Sequence, residues 1–121
     1  MGKNLEVTIL LDFYGDMLTE KQKDVIDLYY NQDLSLAEIA DEVGISRQGV
    51  RDSIKRGEAV LFKMEGRLGF LKNFRLSEKA CAKITALAEE IIDINRKQNN
   101  IGIIDVKANE IIKEIRSLRQ E

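Results

Sequence analysis

Apolar residues recur every three or four positions along most of the chain, which is the period of an amphipathic helix. Leu5, Ile9, Leu10 and Phe13 predict a first helix over residues 4–14, broken by Gly15-Asp16. Thr19 followed by Gln22 is a capping-box pattern, with Leu18 placed before it as a staple. It opens a helix to about residue 30 that buries Val25, Ile26, Leu28 and Tyr29. Asn31-Gln32-Asp33 reads as a polar turn. Ser35 with Glu38 repeats the box and opens a short helix ending near Val43, with Leu36, Ile39, Ala40 and Val43 as its apolar stripe. Gly44 then suits the left-handed residue that ends a helix.

Ser46 caps a further helix at once. Val50, Ile54, Leu61 and Leu68 keep its period to about residues 66–69, with Gly57 as an expected bend. Residues 71–76 read as a connector. Ser77 then caps a long helix to about residue 98, with Ala80, Ile84, Leu87, Ala88, Ile91 and Ile94 on one side. After the turn Asn99-Asn100-Ile101-Gly102, a last helix over 105–119 turns Ala108, Ile111, Ile112, Ile115 and Leu118 inward. No stretch alternates with the two-residue period of a half-buried strand, so the expected fold is all-α.

Composition narrows the chemistry. The 121 residues are 44% apolar and 33% charged, a globular balance, and proline is absent. Histidine is also absent and Cys81 is the single cysteine. That removes histidine bases, Cys/His nucleophiles, Cys/His zinc sites and any internal disulfide. No phosphate-binding GK[ST] loop occurs. The chain is therefore expected not to be an enzyme and to carry no cofactor and no metal. A lone thiol fits a reducing cytoplasm, and Cys81 is expected to be a small core residue. No apolar run approaches a membrane span.

Charge is unevenly spread around a net of -2. Residues 19–45 set seven acids against two lysines, whereas residues 46–76 set eight bases against Asp52, Glu58 and Glu65. An acidic chain thus carries one basic segment able to grip phosphates.

That segment begins inside a helix-turn-helix pattern. Leu36 to Ala40 supply the first helix, Val43-Gly44-Ile45 the turn, and Ser46 to Val50 the start of the second. Ala40 is small where two steeply crossing backbones touch, and Ile39, Val43, Ile45, Val50 and Ile54 plug the angle between them. The second helix can lie in a major groove. Arg47, Gln48, Arg51 and Asp52 then stand where bases are read: arginine suits guanine, glutamine adenine, and an acid the cytosine amine. Ser46, Lys55, Arg56 and Lys63 are placed for phosphate, Ser46 partly through the helix N-terminal amides.

Residues 18–63 resemble region four of bacterial sigma factors, the part that reads the -35 promoter element. The resemblance is carried by Leu18 to Gln22, Val25, Leu28 to Tyr30, Leu34 to Ala40, Gly44 to Ser46 and Val50 to Arg56. The sequence departs from that pattern at Asp52 and at Gly57, where alanine is usual. About 17 residues precede this stretch, too few for the polymerase-binding domain of a working sigma factor. The whole chain is most similar to the YlxM family of small bacterial helix-turn-helix proteins. The segment Val7 to Tyr14, the sigma-like stretch and Glu65 to Gly69 all fit that family. The resemblance implies a cytoplasmic regulator. Because genes of that family lie beside those of signal recognition particle proteins, it also implies a connection to that targeting pathway.

The expected organisation is a helix-turn-helix domain without a wing over 1–70, and a helical extension over 71–121 packing on it or on a second subunit. The C-terminal helices carry wider apolar stripes than two isolated helices can hide, which predicts a homodimer through them. DNA is the expected partner of the helix-turn-helix. The alternative is a module that binds protein or RNA, acting on signal recognition particle RNA or protein; the acidic overall charge favours it.

Overall fold

The computed structural model describes residues 3–119. Its helices are α1 (Glu6–Tyr14), α2 (Glu20–Tyr30), α3 (Leu36–Val43), α4 (Arg47–Leu68), α5 (Phe70–Lys97) and α6 (Gly102–Leu118). A short 3-10 turn over Gly15–Met17 follows α1. No strand occurs among the described residues, so the fold is all-α. None of these helices is long and apolar enough to cross a membrane. The chain divides into two compact units, Met1–Asn73 and Phe74–Glu121.

In the first unit the caps are made as the residue types require. Thr19 Oγ1 accepts from the Gln22 amide at 3.2 Å, and Gln22 Oε1 accepts from the Thr19 amide at 3.1 Å. Ser35 and Glu38 form the same reciprocal pair, both at 3.1 Å. These boxes satisfy amides that a helix start leaves without partners. α4 packs against α1, α2 and α3 and is the centre of the unit. Val7 and Leu10 of α1, Val25 and Ile26 of α2, Ile39 of α3, and Val50, Ile54 and Leu61 of α4 have no solvent access.

Two expectations for this unit need correction. α1 buries Val7, Leu10, Leu11 and Tyr14, whereas Leu5 is 77% exposed and Ile9 and Phe13 are partly so. α1 is apolar nearly all round, so periodicity alone fits more than one face; the Tyr14 hydroxyl settles the choice by reaching a partner inside. α1 does end at Tyr14, as expected from Gly15-Asp16, and Gly15 at φ -55° opens the 3-10 turn that follows. Residues 71–76 are not a connector, because α5 starts at Phe70 and runs through Ser77 without interruption.

The early start of α5 has a specific cause. α4 ends at Gly69, which stands at φ 65°. The first amides of α5 then meet groups from elsewhere in the unit. Glu65 accepts from the Leu71 amide at 3.0 Å and from the Lys72 amide at 3.1 Å. Tyr14 Oη donates to Glu65 Oε1 at 2.7 Å and accepts from the Phe70 amide at 3.0 Å. The rings of Tyr14 and Phe70 stack 5.6 Å apart. A carboxylate facing the helix start also complements the positive end of the α5 dipole.

α4 passes through Gly57 as one continuous helix, in which Gly57 has a packing role. A Cβ built on Gly57 would lie 2.4 Å from Ile26 Cδ1, and Ile26 is fully enclosed. This explains why glycine stands where the sigma pattern has alanine. We expect Gly57→Ala to lose about 1–2 kcal/mol of stability despite the ~1 kcal/mol gain in helix propensity. Adding Ile26→Val removes the obstructing methyl, so the double variant is expected to lose no more than Ile26→Val alone. A double-mutant cycle by urea denaturation checks this, and additive losses would contradict the packing role.

In the second unit, Arg119 pairs with Glu78 at 2.9 Å and Asn95 Nδ2 donates to Asp105 Oδ1 at 2.9 Å. These ties at opposite ends make α5 and α6 an antiparallel hairpin. The buried residues are Cys81, Ala88 and Asn95 of α5 with Ala108 and Ile112 of α6. This corrects the predicted stripes. Ile84, Leu87, Ile91 and Ile94 are exposed, as are Ile111 and Leu118. Small residues occupy the seam, where they permit close approach, and the bulky aliphatics lie beside it. Cys81 is buried, as expected.

α6 begins at Gly102 rather than near 105, and Asn95 organises the turn before it. Its Nδ2 donates to the Ile101 carbonyl at 2.8 Å, and its Oδ1 accepts from the Ile101 amide at 2.9 Å. Asn95 and Arg96 together hold the Asp105 carboxyl below its ordinary range, the Asn95 hydrogen bond being the larger cause.

Candidate nucleic-acid interface

α3, the turn and α4 form a two-helix corner whose geometry follows from a few residues. Gly44 is left-handed at φ 81° and ψ 33°, which lets its own amide and that of Ile45 both return to the Ala40 carbonyl, at 2.9 and 3.2 Å. Ile39, Ala40, Val50 and Ile54 fill the angle; Ile45 is partly buried, and Val43, expected among the plugs, is 36% exposed. Ser46 Oγ accepts from the Gly49 amide at 3.0 Å and fixes the start of α4. Its oxygen is thereby used as a cap.

At about 100° per residue, α4 separates its buried and open faces cleanly. Asp52, Lys63, Gln48 and Arg56 point most directly away from the core side defined by Val50, Ile54 and Leu61, with exposed Lys55 beside them. Arg47 and Arg56 are exposed and Arg51 is half-buried at the edge. Lys63 is exposed on the same face, about 12 Å further along the helix than Lys55 at 1.5 Å per residue. Ser46 to Arg56 thus gather at one end of α4, and Lys63 stands apart from them. Gln48 Nε2 donates to Asp52 Oδ1 at 3.0 Å, which ties the amide and the acid into one unit on the open face. Arg47, Arg51, Lys55, Arg56 and Lys63 form no salt bridge among the described residues, so five cations remain available to a partner. Lys21, Gln22 and Ser53 line a cleft beside this face and were not singled out by the sequence, which gives no signal that α2 lies next to Arg56.

The back of α4 is clamped by a second polar cluster. Tyr30 Oη donates to Glu58 Oε1 at 2.5 Å and accepts from the Asn4 amide at 3.4 Å. Lys3 pairs with Asp33 at 2.6 Å and lies 4.5 Å from the Tyr29 ring centre. Burial and the Glu58 carboxylate push the Tyr30 hydroxyl up to about 12, and burial followed by Glu65 raises Tyr14. A raised folded-state value means that the folded protein holds its proton more tightly than the unfolded chain. The stability that Tyr30 contributes is present below about pH 10 and is lost as pH rises towards 12, and Tyr14 acts in the same direction. We expect the urea midpoint to fall over that interval, and Tyr30→Phe to flatten the fall. An unchanged profile in that variant would contradict the assignment.

A first helix anchored by buried Ile39 and Ala40, a glycine turn and a capped second helix presenting cations that form no salt bridge among the described residues define a helix-turn-helix protein. The chain belongs to the UPF0122 family, whose description is "Putative helix-turn-helix protein, YlxM / p13 like" and whose model matches residues 1–101. Among curated relatives, the UPF0122 protein of Acetivibrio thermocellus is 44% identical over 115 residues, covering 95% of this chain and 97% of that protein. The Clostridium kluyveri protein is 41% identical over 115 residues, covering 95% of this chain and all of its own length. That of Bacillus thuringiensis is 40% identical over 101 residues, covering 84% of this chain and 92% of that protein.

Proposed function

We propose that the chain is a non-enzymatic, cytoplasmic regulator that binds duplex DNA through the open face of α4. The observation that carries this reading is the set of five cations on one capped helix of a helix-turn-helix that form no salt bridge among the described residues. In this reading Arg47, Gln48 and Arg51 meet base edges in the major groove, with Asp52 beside them. Ser46, Lys55, Arg56 and Lys63 meet phosphates. The likeness to the YlxM family extends the proposal to regulation within the signal recognition particle pathway.

The acidic surroundings favour a second reading, in which the same face docks on signal recognition particle RNA or protein. Fluorescence anisotropy separates the two. Random duplex, the duplex upstream of the protein's own operon, and signal recognition particle RNA are titrated at two salt concentrations. Operon DNA preferred tenfold or more supports the regulator. Preference for the RNA moves the function to the particle, and binding to none of the three overturns the nucleic-acid role of α4.

The proposal includes a homodimer through the C-terminal helices. Ile84, Leu87, Ile91 and Ile94 are exposed at alternating steps of three and four, the spacing of a coiled-coil seam. Two copies would place two recognition helices on two half-sites. Sedimentation at tens of micromolar is expected to show a dimer that Leu87→Glu converts to monomer. A clean wild-type monomer would contradict it.

Asp52 is expected to limit affinity by repelling phosphate. Asp52→Asn keeps an acceptor for Gln48 and removes the charge, so binding to random duplex should tighten about three- to tenfold, measured by the same titration. Weaker binding to all duplexes would show that the carboxylate itself makes a favourable contact.

A further inference from the structure

A cleft of about 310 Å³ lies between the start of α2 and the side of α4. α2 contributes Lys21 and Gln22, and α4 contributes Asp52, Ser53 and Arg56. We infer that this cleft seats a backbone phosphate of the bound nucleic acid, separately from the base-reading face; the inference rests on the DNA-binding reading of α4.

Four features converge on an anion. The Thr19–Gln22 capping box satisfies only part of the first turn of α2. The amides of Glu20 and Lys21 make no hydrogen bond among the described residues, and they lie at the positive end of the helix dipole. Ser53 is only 9% exposed, and its hydroxyl has no hydrogen-bond partner among the described residues. No fully enclosed side-chain N or O atom there lacks a partner, so the Ser53 oxygen is open to the cleft it lines. Lys21 and Arg56 bring two cations to the same cleft, and neither forms a salt bridge among the described residues. Backbone amides, a hydroxyl and two cations are donors suited to a phosphodiester.

Asp52 also lines the cleft, and its carboxylate opposes an anion there. Its Oδ1 accepts from Gln48 on the open-face side. The two cations Lys21 and Arg56 outnumber that single carboxylate in the lining. Because Asp52 of the predicted reading set and Arg56 of the predicted phosphate set both line the cleft, a phosphate seated here would fix the rotation of α4 about its axis in the groove.

The test uses the full chain and two probes. Inorganic phosphate is titrated against amide chemical shifts, with chloride at matched ionic strength as control. We expect saturable shifts at Lys21, Gly49 and Ser53 in the millimolar range, lost in Lys21→Gln and weakened in Ser53→Ala. Duplex affinity is then measured across salt. Lys21→Gln should weaken preferred and random duplexes equally, about three- to tenfold, and reduce the salt slope by roughly 0.9, the amount expected for one phosphate contact. Wild-type shifts no larger than with chloride would overturn the seat. Unchanged slope and affinity in Lys21→Gln would overturn its role on duplex. If no duplex binds to wild type while the phosphate shifts appear and vanish in Lys21→Gln, the seat stands and the DNA reading of α4 fails.

Discussion

Glu65→Ala is expected to cost about 2–4 kcal/mol of stability, the largest effect of any single side chain outside the apolar core. One carboxylate accepts from Tyr14 Oη, the Leu71 amide and the Lys72 amide. Hydrogen bonds to a charged group contribute about 1.5–3 kcal/mol each in favourable settings, and less when solvent can substitute. The two amides can turn to water after truncation. Tyr14 is nearly enclosed, so its hydroxyl would be left without an acceptor. Glu65→Gln keeps acceptor capacity without the charge and should fall between wild type and alanine. Tyr14→Phe should lose about 1–1.5 kcal/mol. Urea denaturation followed by circular dichroism measures all three. A Glu65→Ala variant within ~0.5 kcal/mol of wild type would show that α5 starts at Phe70 without its help.

Arg51→Ala is expected to cost about 1–3 kcal/mol of affinity for the preferred duplex, or roughly 10- to 100-fold, with little effect on random duplex. Arg51 sits one helical turn from the Ser46 cap, at the edge of the open face, where a guanidinium can reach the O6 and N7 of guanine. Lys55→Ala, further along α4, should instead weaken every duplex alike and reduce the salt slope by about 0.9. Because Arg51 is half-buried, the folded state of the variant is checked by its urea midpoint before affinity is compared. Equal loss on all sequences in Arg51→Ala would reassign it to phosphate.

The parts of this molecule that are legible in its sequence are those set by local chemistry. Thr19, Ser35 and Ser46 cap the helices they announce because a hydroxyl beside free amides acts within three residues. Gly44 marks the turn because few other residues adopt φ 81°. The start of α5 was hidden because its caps come from Tyr14, 56 residues away from Phe70, and from a glutamate in the preceding helix. Its buried face was also hidden. A pattern search places the bulkiest residues inside, whereas Cys81, Ala88 and Asn95 lie in the seam. The α2–α4 cleft follows the same rule: Lys21 and Arg56 are far apart in sequence and meet only once α2 crosses α4. For the candidate site, residue types and spacing place Ser46 to Arg56 on one helix end. The Gln48–Asp52 bond and the absence of ion pairs on the cations need coordinates.

The dependence of duplex affinity on salt tests the DNA-binding reading most directly. Lys55, Arg56 and Lys63 on phosphates of a B-form duplex, with Lys21 as a fourth, should give a slope of log K against log salt of about -3 to -4, and charge-reversal at Lys55 and Arg56 together should abolish measurable binding at physiological salt. A flat salt response, or undiminished affinity in that double variant, would mean that the open face of α4 does not hold DNA.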